Sequence, residues 1–291
     1  MFLSLEAGGR SSHILHESGR RHFWQGAGAL SIKSFTGGRA LYDVGGGRFA
    51  VDDRSYLVLN EGQTYSITVD SRSPMESFCI FFGSGLAEEV ERSLIAQPGS
   101  LLDDPSAASP AVRFFERTYP HDEMLSPALF RLRETLARGR DDSAWLEERL
   151  HDLLERLLRV HRGARAEADS LASLRRATRE ELYRRLHRAR DHVAASLEGR
   201  LTLEELGRVA CLSPNHLLRS FRQLFGQTPH QYVTERRLER ARELLIRTER
   251  PVTDICLDVG FESLGSFSWL FRRRTGISPE GYRRGAASRE R

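Results

Sequence analysis

Asn215, His216, Arg219, Arg222 and Gln223 recur at spacings that place them on one face of a helix. The chemistry open to them is hydrogen bonding rather than bond making. A guanidinium such as that of Arg219 has the donor geometry to grip O6 and N7 of guanine. The Asn215 amide suits adenine, and Arg222 suits a phosphate. The bland alternative is an ordinary solvated helix face. Nowhere do clustered ligands or an acid and base pair offer catalysis, and no catalytic residue is assigned.

These side chains belong to a pattern that the chain writes twice between residues 201 and 282. From Ser213 onward the copies stand 50 positions apart: Ser213 and Ser263, Phe221 and Phe271, Gly226 and Gly276, Tyr232 and Tyr282. Ahead of the turn the offset is 49, as for Leu206 and Ile255, so the second turn carries one extra residue. In the first copy Thr202 caps a helix, with Glu205 completing a capping box. Leu203, Leu206 and Val209 mark its inner side, and Cys211 with Leu212 makes the turn. Ser213 caps the next helix and Pro214 opens it, where a missing N–H costs nothing. Leu217, Leu218, Phe221 and Leu224 face inward, and Gly226 ends the helix. This is the helix-turn-helix pattern. Thr228, Pro229 and Gln231 start a joining helix with a stripe of Leu238, Ala241, Leu244 and Leu245. Arg236, Arg237, Arg240 and Arg242 read as its basic surface. That helix spans roughly 28 Å, near the 34 Å or so of one turn of B-DNA.

With these residues in view, 180–285 resembles the DNA-binding domain of the AraC/XylS family of bacterial transcription regulators. The carrying motif is VTDICLDVGF at 252–261, followed by Phe267, Phe271, Arg272, Arg273, Gly276, Ile277, Ser278, Pro279, Tyr282 and Arg283. The resemblance implies that both second helices enter successive major-groove segments of double-stranded DNA. It places Asn215, His216 and Arg219 at the groove in the first copy. In the second copy Ser263, Ser266 and Trp269 are the candidate contacts, with Arg272 and Arg273 anchoring phosphate. The second copy departs from the family pattern: Trp269 stands where a groove-facing arginine often sits, and Leu264, Gly265 and Ser266 occupy the other groove positions. Such a surface meets thymine methyls or tracks shape and makes no bidentate guanine contact. The first copy is therefore expected to dominate base selectivity. The family also implies a homodimer, a small-molecule effector and frequently activation, with RNA polymerase as a further partner.

The 291 residues suit two domains, and the formal net charge of +4 is mild. Arginine is dense after Arg175, which suits phosphate neutralisation; Lys33 is the only lysine. Cys79, Cys211 and Cys256 have no metal spacing and read as small core residues. No secretory signal or long apolar run is visible, so a cytoplasmic protein without a membrane segment is expected.

Residues 1–26 read as an arm or irregular entry; His13, His16 and His22 lack carboxylates in register for a metal site. Short β-rich runs follow at 30–35, 40–44, 48–51, 56–59, 65–69 and 77–82, broken by Gly37, Gly38, Gly45, Gly46, Gly47, Gly62 and the 71–74 segment. This reads as a sandwich or small barrel, and the family resemblance makes it a cupin-like sensing domain. No HxH occurs, and Tyr65 stands near where the first metal-ligating histidine of such cupins would fall, so neither metal nor cofactor is expected. Arg39, Tyr42, Tyr65 and Phe81 are candidates to line a ligand site. A helix is expected at 85–95, a loop at 97–109 and a short helix through Leu129, Leu132 and Leu136. A longer helix follows, with Leu146, Leu150, Leu153, Leu157 and Val160 at heptad spacing. That stripe suits packing on its own barrel or on a second chain equally well.

The fold expected is α+β in two domains. A cupin-like β-sandwich or barrel with trailing helices occupies 1–162, a polar linker 163–178, and an all-α domain with two helix-turn-helix motifs 179–291. Residues 285–291 read as a frayed tail. The function expected is sequence-specific transcription regulation under a small-molecule effector. The alternatives are a cupin-type metal enzyme with a DNA-binding appendage, a regulator without a ligand, and a module that docks another protein.

Overall fold

The computed structural model describes residues 2–7, 10–95, 111–139, 142–171 and 175–287. They divide into two units, Met1–Asp191 and His192–Arg291.

In the first unit, period-two alternation builds an antiparallel sheet that curls into a nearly closed barrel. Its strands are β1 (Phe2–Ala7), β2 (Arg10–Ala27), β3 (Ser31–Thr36), β4 (Ala40–Val44), β5 (Gly47–Val51), β6 (Ser55–Leu59), β7 (Thr64–Phe81) and β8 (Thr118–Pro120). The order is β1-β2-β7-β3-β6-β8, and β4 bridges β5 and β7. Alternation sorts the side chains to two faces. Phe35, Tyr42, Phe49, Leu59 and Tyr65 fill the interior. Ile32, Val58, Phe78 and Ile80 point the other way, towards helices. Those helices are α1 (Leu86–Ile95), α2 (Ser126–Ala137) and α3 (Ser143–Asp169). Leu146, Leu150, Leu153, Leu154, Leu157 and Leu158 of α3 are buried in that cluster. The heptad stripe is thus covered by its own barrel.

Three expectations change here. Residues 10–27 are not an irregular entry but one long strand, paired along most of β7. Its middle, residues 17–25, is solvated on both faces, so no apolar period marks it. The 71–74 segment does not break β7. The register of β2 and β7 shifts between Gly19 and Arg21, opposite Pro74 and its neighbours, and such an irregularity tolerates a residue without an N–H. The helix expected to end near 161 continues to Asp169, burying Ala164 and Ala168. The loop expected at 97–109 lies outside the described residues.

Helix α4 (Arg176–Ala195) carries the division between units, which falls after Asp191. Its buried positions include Tyr183, His187 and Asp191 as well as Leu186, Ala189 and Val193. The second unit is all helix: α5 (Leu203–Ala210), α6 (Pro214–Phe225), α7 (Pro229–Arg247), α8 (Val252–Asp258), α9 (Leu264–Thr275) and α10 (Pro279–Ala287). The tail expected from 285 is helical as far as Ala287. Among the described residues no helix is long and apolar enough to cross a membrane.

Candidate nucleic-acid interface

The repeat seen in the sequence is a repeat in space. Phe221 meets Tyr232 with ring centroids 5.7 Å apart, and Phe271 meets Tyr282 at 5.5 Å, each pair edge-on. In both copies the chain leaves the first helix through a left-handed residue, Cys211 at φ 52° and Gly260 at φ 89°. In both, the next N–H turns back: Leu212 N to Gly207 O at 2.9 Å and Phe261 N to Cys256 O at 3.0 Å. One residue separates Cys211 from its cap Ser213, and two separate Gly260 from Ser263. The extra residue of the second copy therefore sits between corner and cap. Cys211 is not the core residue expected of it: it is exposed, while Cys79 and Cys256 are buried.

Close packing fixes the corners. A Cβ on Gly207 would stand 2.8 Å from Leu212 O. On Gly260 it would stand 2.6 Å from Leu197 O and 2.7 Å from the Arg237 guanidinium, on a backbone already left-handed. Gly260→Ala should therefore lower stability by about 1–3 kcal/mol, read as a shift in the urea midpoint of the carboxyl-terminal unit. An unchanged midpoint would mean that the second corner has room for a methyl group.

The caps set where the second helices point. Ser213 Oγ accepts from His216 N at 3.4 Å, and Ser263 Oγ accepts from Ser266 N at 3.2 Å. Ser263 and Ser266 also join through their hydroxyls at 3.0 Å, so both serve the cap before anything else. The reciprocal capping box forms at α7, between Thr228 and Gln231. At α5 Thr202 caps Glu205 N, while the Glu205 carboxylate lies 3.8 Å from His192.

Phe221, Leu217 and Ser220 are buried under α6, and Phe267 and Phe271 under α9. Asn215, His216, Arg219, Arg222 and Gln223 lie exposed on the other side of α6; Ser266, Trp269, Arg272 and Arg273 do so on α9. Trp269 is 60% exposed and Leu264 41%, and the Arg273 guanidinium lies 5.1 Å from the Trp269 ring.

Charge separates these helices from the one that joins them. Arg236 pairs with Glu239 at 2.7 Å, Arg240 with Glu243 at 3.0 Å and Arg242 with Glu235 at 3.9 Å. Arg237 is half-buried and donates to Leu197 O and Gly199 O. The basic surface expected of α7 is thus largely neutralised or inward. Among the described residues no carboxylate pairs with Arg219, Arg222, Arg272 or Arg273. Four guanidinium groups on the outer faces of α6 and α9 are left for an outside anion. The signal was present in the sequence: Glu239 and Glu243 stand three residues after Arg236 and Arg240, whereas α6 and α9 carry no acidic residue.

The ligand candidates of the first unit divide. Tyr42 and Tyr65 are buried inside the barrel with ring centroids 5.7 Å apart. Phe81 packs against the same interior cluster, and Arg39 is half-exposed just ahead of β4. His16 bonds to Glu76, and His13 stacks on Phe81 at 4.2 Å.

Two helix-turn-helix units joined by a nineteen-residue helix define a double helix-turn-helix domain. The family of helix-turn-helix domains matches residues 206–285. The transcriptional activator RhaR of Klebsiella pneumoniae is 30% identical over 169 residues, 56% of this chain and 58% of its own length. The arabinose operon regulatory protein of Escherichia coli is 26% identical over 231 residues, 70% of this chain and 78% of its own. The regulator ArgR of Pseudomonas aeruginosa is 36% identical over 99 residues, 33% of this chain, which spans only 30% of that relative. Among solved structures, the DNA-binding domain of AdpA in complex with a target DNA shares 29% identity, with 36% of this chain and 94% of that one covered and a TM-score of 0.35. The carboxyl-terminal domain belongs to the AraC/XylS family.

Proposed function

We propose that the protein is a sequence-specific DNA-binding transcription regulator, and that its amino-terminal barrel holds a small-molecule effector. The observation that carries the DNA half is the set of four unpaired arginines on the outer faces of α6 and α9. Arg219 reads a base edge in this account; Arg222, Arg272 and Arg273 hold phosphates. Trp269 and Leu264 offer apolar contact to thymine methyls. If effector binding alters DNA affinity, DNA must alter effector affinity by the same factor.

In this reading the protein works in the cytoplasm as a homodimer. Since the α3 leucines are covered within the chain, a dimer contact would use another surface. Light scattering with and without operator DNA would measure it.

Fluorescence anisotropy on fragments recovered genome-wide tests the main claim. Arg219→Ala should weaken specific binding by about 5- to 150-fold and relax preference at one base pair. Arg272→Ala should weaken all sequences alike and reduce the salt slope by about one. Scrambling the half-site under α6 should cost more than scrambling that under α9. Equal losses for the two halves would count against the selective role of Arg219, and salt-independent binding would count against DNA altogether.

A further inference from the structure

Position by position, 50 residues apart, the outer face of α9 answers that of α6 with different chemistry. Asn215 is matched by Gly265, His216 by Ser266 and Arg219 by Trp269, while Arg222 and Gln223 are matched by Arg272 and Arg273. The basic end of the row is kept and the hydrogen-bonding end is replaced. Ser266 is short, and its hydroxyl is held against that of Ser263 at 3.0 Å. Trp269 and Leu264 lie exposed. An indole carries one donor and no acceptor. No side chain from Leu264 to Trp269 therefore has the two-pronged geometry that grips a purine edge.

Two features argue that this apolar face has a purpose. The first is Gly265, one turn before Trp269 on the same side of the helix. Its backbone is not left-handed, and a Cβ there would meet nothing within 4 Å. Glycine weakens a helix, and among the described residues nothing asks for one at this place. The space beside the indole is kept clear on the solvent side. The second is Arg273, whose guanidinium lies 5.1 Å from the Trp269 ring. A cation over the ring restrains a large exposed side chain and ties it to the arginines at the basic end of the row. An exposed indole with room beside it and arginines one turn further along suits the one apolar group that a major groove displays, the methyl at C5 of a pyrimidine. Thymine always carries that methyl, and cytosine carries it only when methylated.

We propose that α9 reads C5 methyl groups, those of thymine and 5-methylcytosine alike, so that binding at its half-site responds to cytosine methylation. Trp269 sets the preference, Gly265 makes room, and Leu264 adds apolar surface at the start of the helix. This deepens the DNA-binding reading above and rests on it, since α9 must lie in a major groove.

Fluorescence anisotropy of the full chain on an operator recovered genome-wide tests it, with the first changes made in the DNA alone. The α6 half-site is the one at which Arg219→Ala relaxes preference; the α9 half-site is the other. Uracil keeps every hydrogen-bonding atom of thymine and lacks only the methyl. Uracil for thymine throughout the α9 half-site should weaken binding by about fourfold for each methyl in contact. The same exchange in the α6 half-site should cost less than about twofold, because hydrogen bonds carry the readout there. Where uracil costs affinity, a C·G pair in place of T·A should cost it too, and 5-methylcytosine should recover most of that loss. Trp269→Ala should bind thymine and uracil duplexes equally while keeping the parent's helical circular dichroism, since its side chain supports no core. Gly265→Leu should fold at least as stably as the parent and lose affinity for the operator.

A uracil penalty no larger under α9 than under α6, the full penalty retained by Trp269→Ala, or 5-methylcytosine bound no better than cytosine would overturn the proposal. So would an α9 half-site without thymine. Undiminished operator binding by Trp269→Ala would overturn it as well and assign the exposed indole to a protein contact. In each of these results the operator itself still binds with its salt dependence, so the DNA reading stands. Absence of salt-dependent binding to the operator would remove both.

Discussion

Asp191→Ala should destabilise the amino-terminal unit by about 3–5 kcal/mol, the range expected when one partner of a buried ion pair is removed. Asp191 is fully buried. One carboxylate oxygen accepts from Thr118 N at 2.9 Å, and the other from Thr118 Oγ1 at 2.8 Å and Arg190 Nη2 at 2.7 Å. Arg190 also donates to Thr118 O at 2.7 Å, closing the ring of contacts. Removing the carboxylate strands an N–H, a hydroxyl and a guanidinium in a place that water barely reaches. Asp191→Asn keeps the shape and one acceptor and should cost less. Urea unfolding followed by tyrosine fluorescence measures both. A loss under about 1 kcal/mol for the alanine variant would mean that water reaches these groups.

Acid should begin to destabilise the amino-terminal unit as pH falls below about 6.5, before its carboxylates titrate, and His161 should be a large contributor. The ring is 2% exposed and lies 5.0 Å from Phe114 and 5.4 Å from Phe115. Neither ring nitrogen has a hydrogen-bond partner among the described residues. Burial, reinforced by Arg165, Arg184 and Arg117, pushes its pKa from 6.5 down to about 3. The unfolded chain takes up a proton near pH 6.5, whereas the native chain refuses it until about pH 3. Stability is therefore complete above pH 6.5 and drains away as pH falls towards 3, by up to roughly 4–5 kcal/mol from this group. His187 and His121 are lowered by burial as well and act in the same sense. His161→Leu should leave stability at pH 7.5 within about 1 kcal/mol and flatten the decline between pH 6 and 4. A parallel decline in parent and variant would remove His161 from the account.

Both residues show where reading from sequence stops. Helix α4 was legible as a helix through Leu186, Ala189 and Val193, because apolar side chains recur where helical periodicity wants them. Tyr183, His187 and Asp191 lie on its buried side too, yet their types signal solvent. Their partners, Arg117 and Thr118, come from a segment about seventy positions earlier, a distance at which periodicity carries no information. The helix-turn-helix copies were legible almost residue by residue, since caps, corner and core stripe all lie within one short stretch. The long β2 and β7 pair was not. Its middle is wet on both faces, so neither period nor hydrophobicity marks it, and Pro74 argued for a break that a register shift absorbs. Lys33 was visible as a lone lysine, but only the strand pairing turns it inward.

The left-handed corner ahead of α6 has a practical consequence. Cys211 is exposed there while the other two thiols are buried, so a maleimide dye applied to the native chain should attach at that one place. It would sit two residues before the cap of the helix that carries Arg219, close enough to feel a duplex arrive. The protein thus carries its own attachment point for an optical reporter, with no engineered cysteine required.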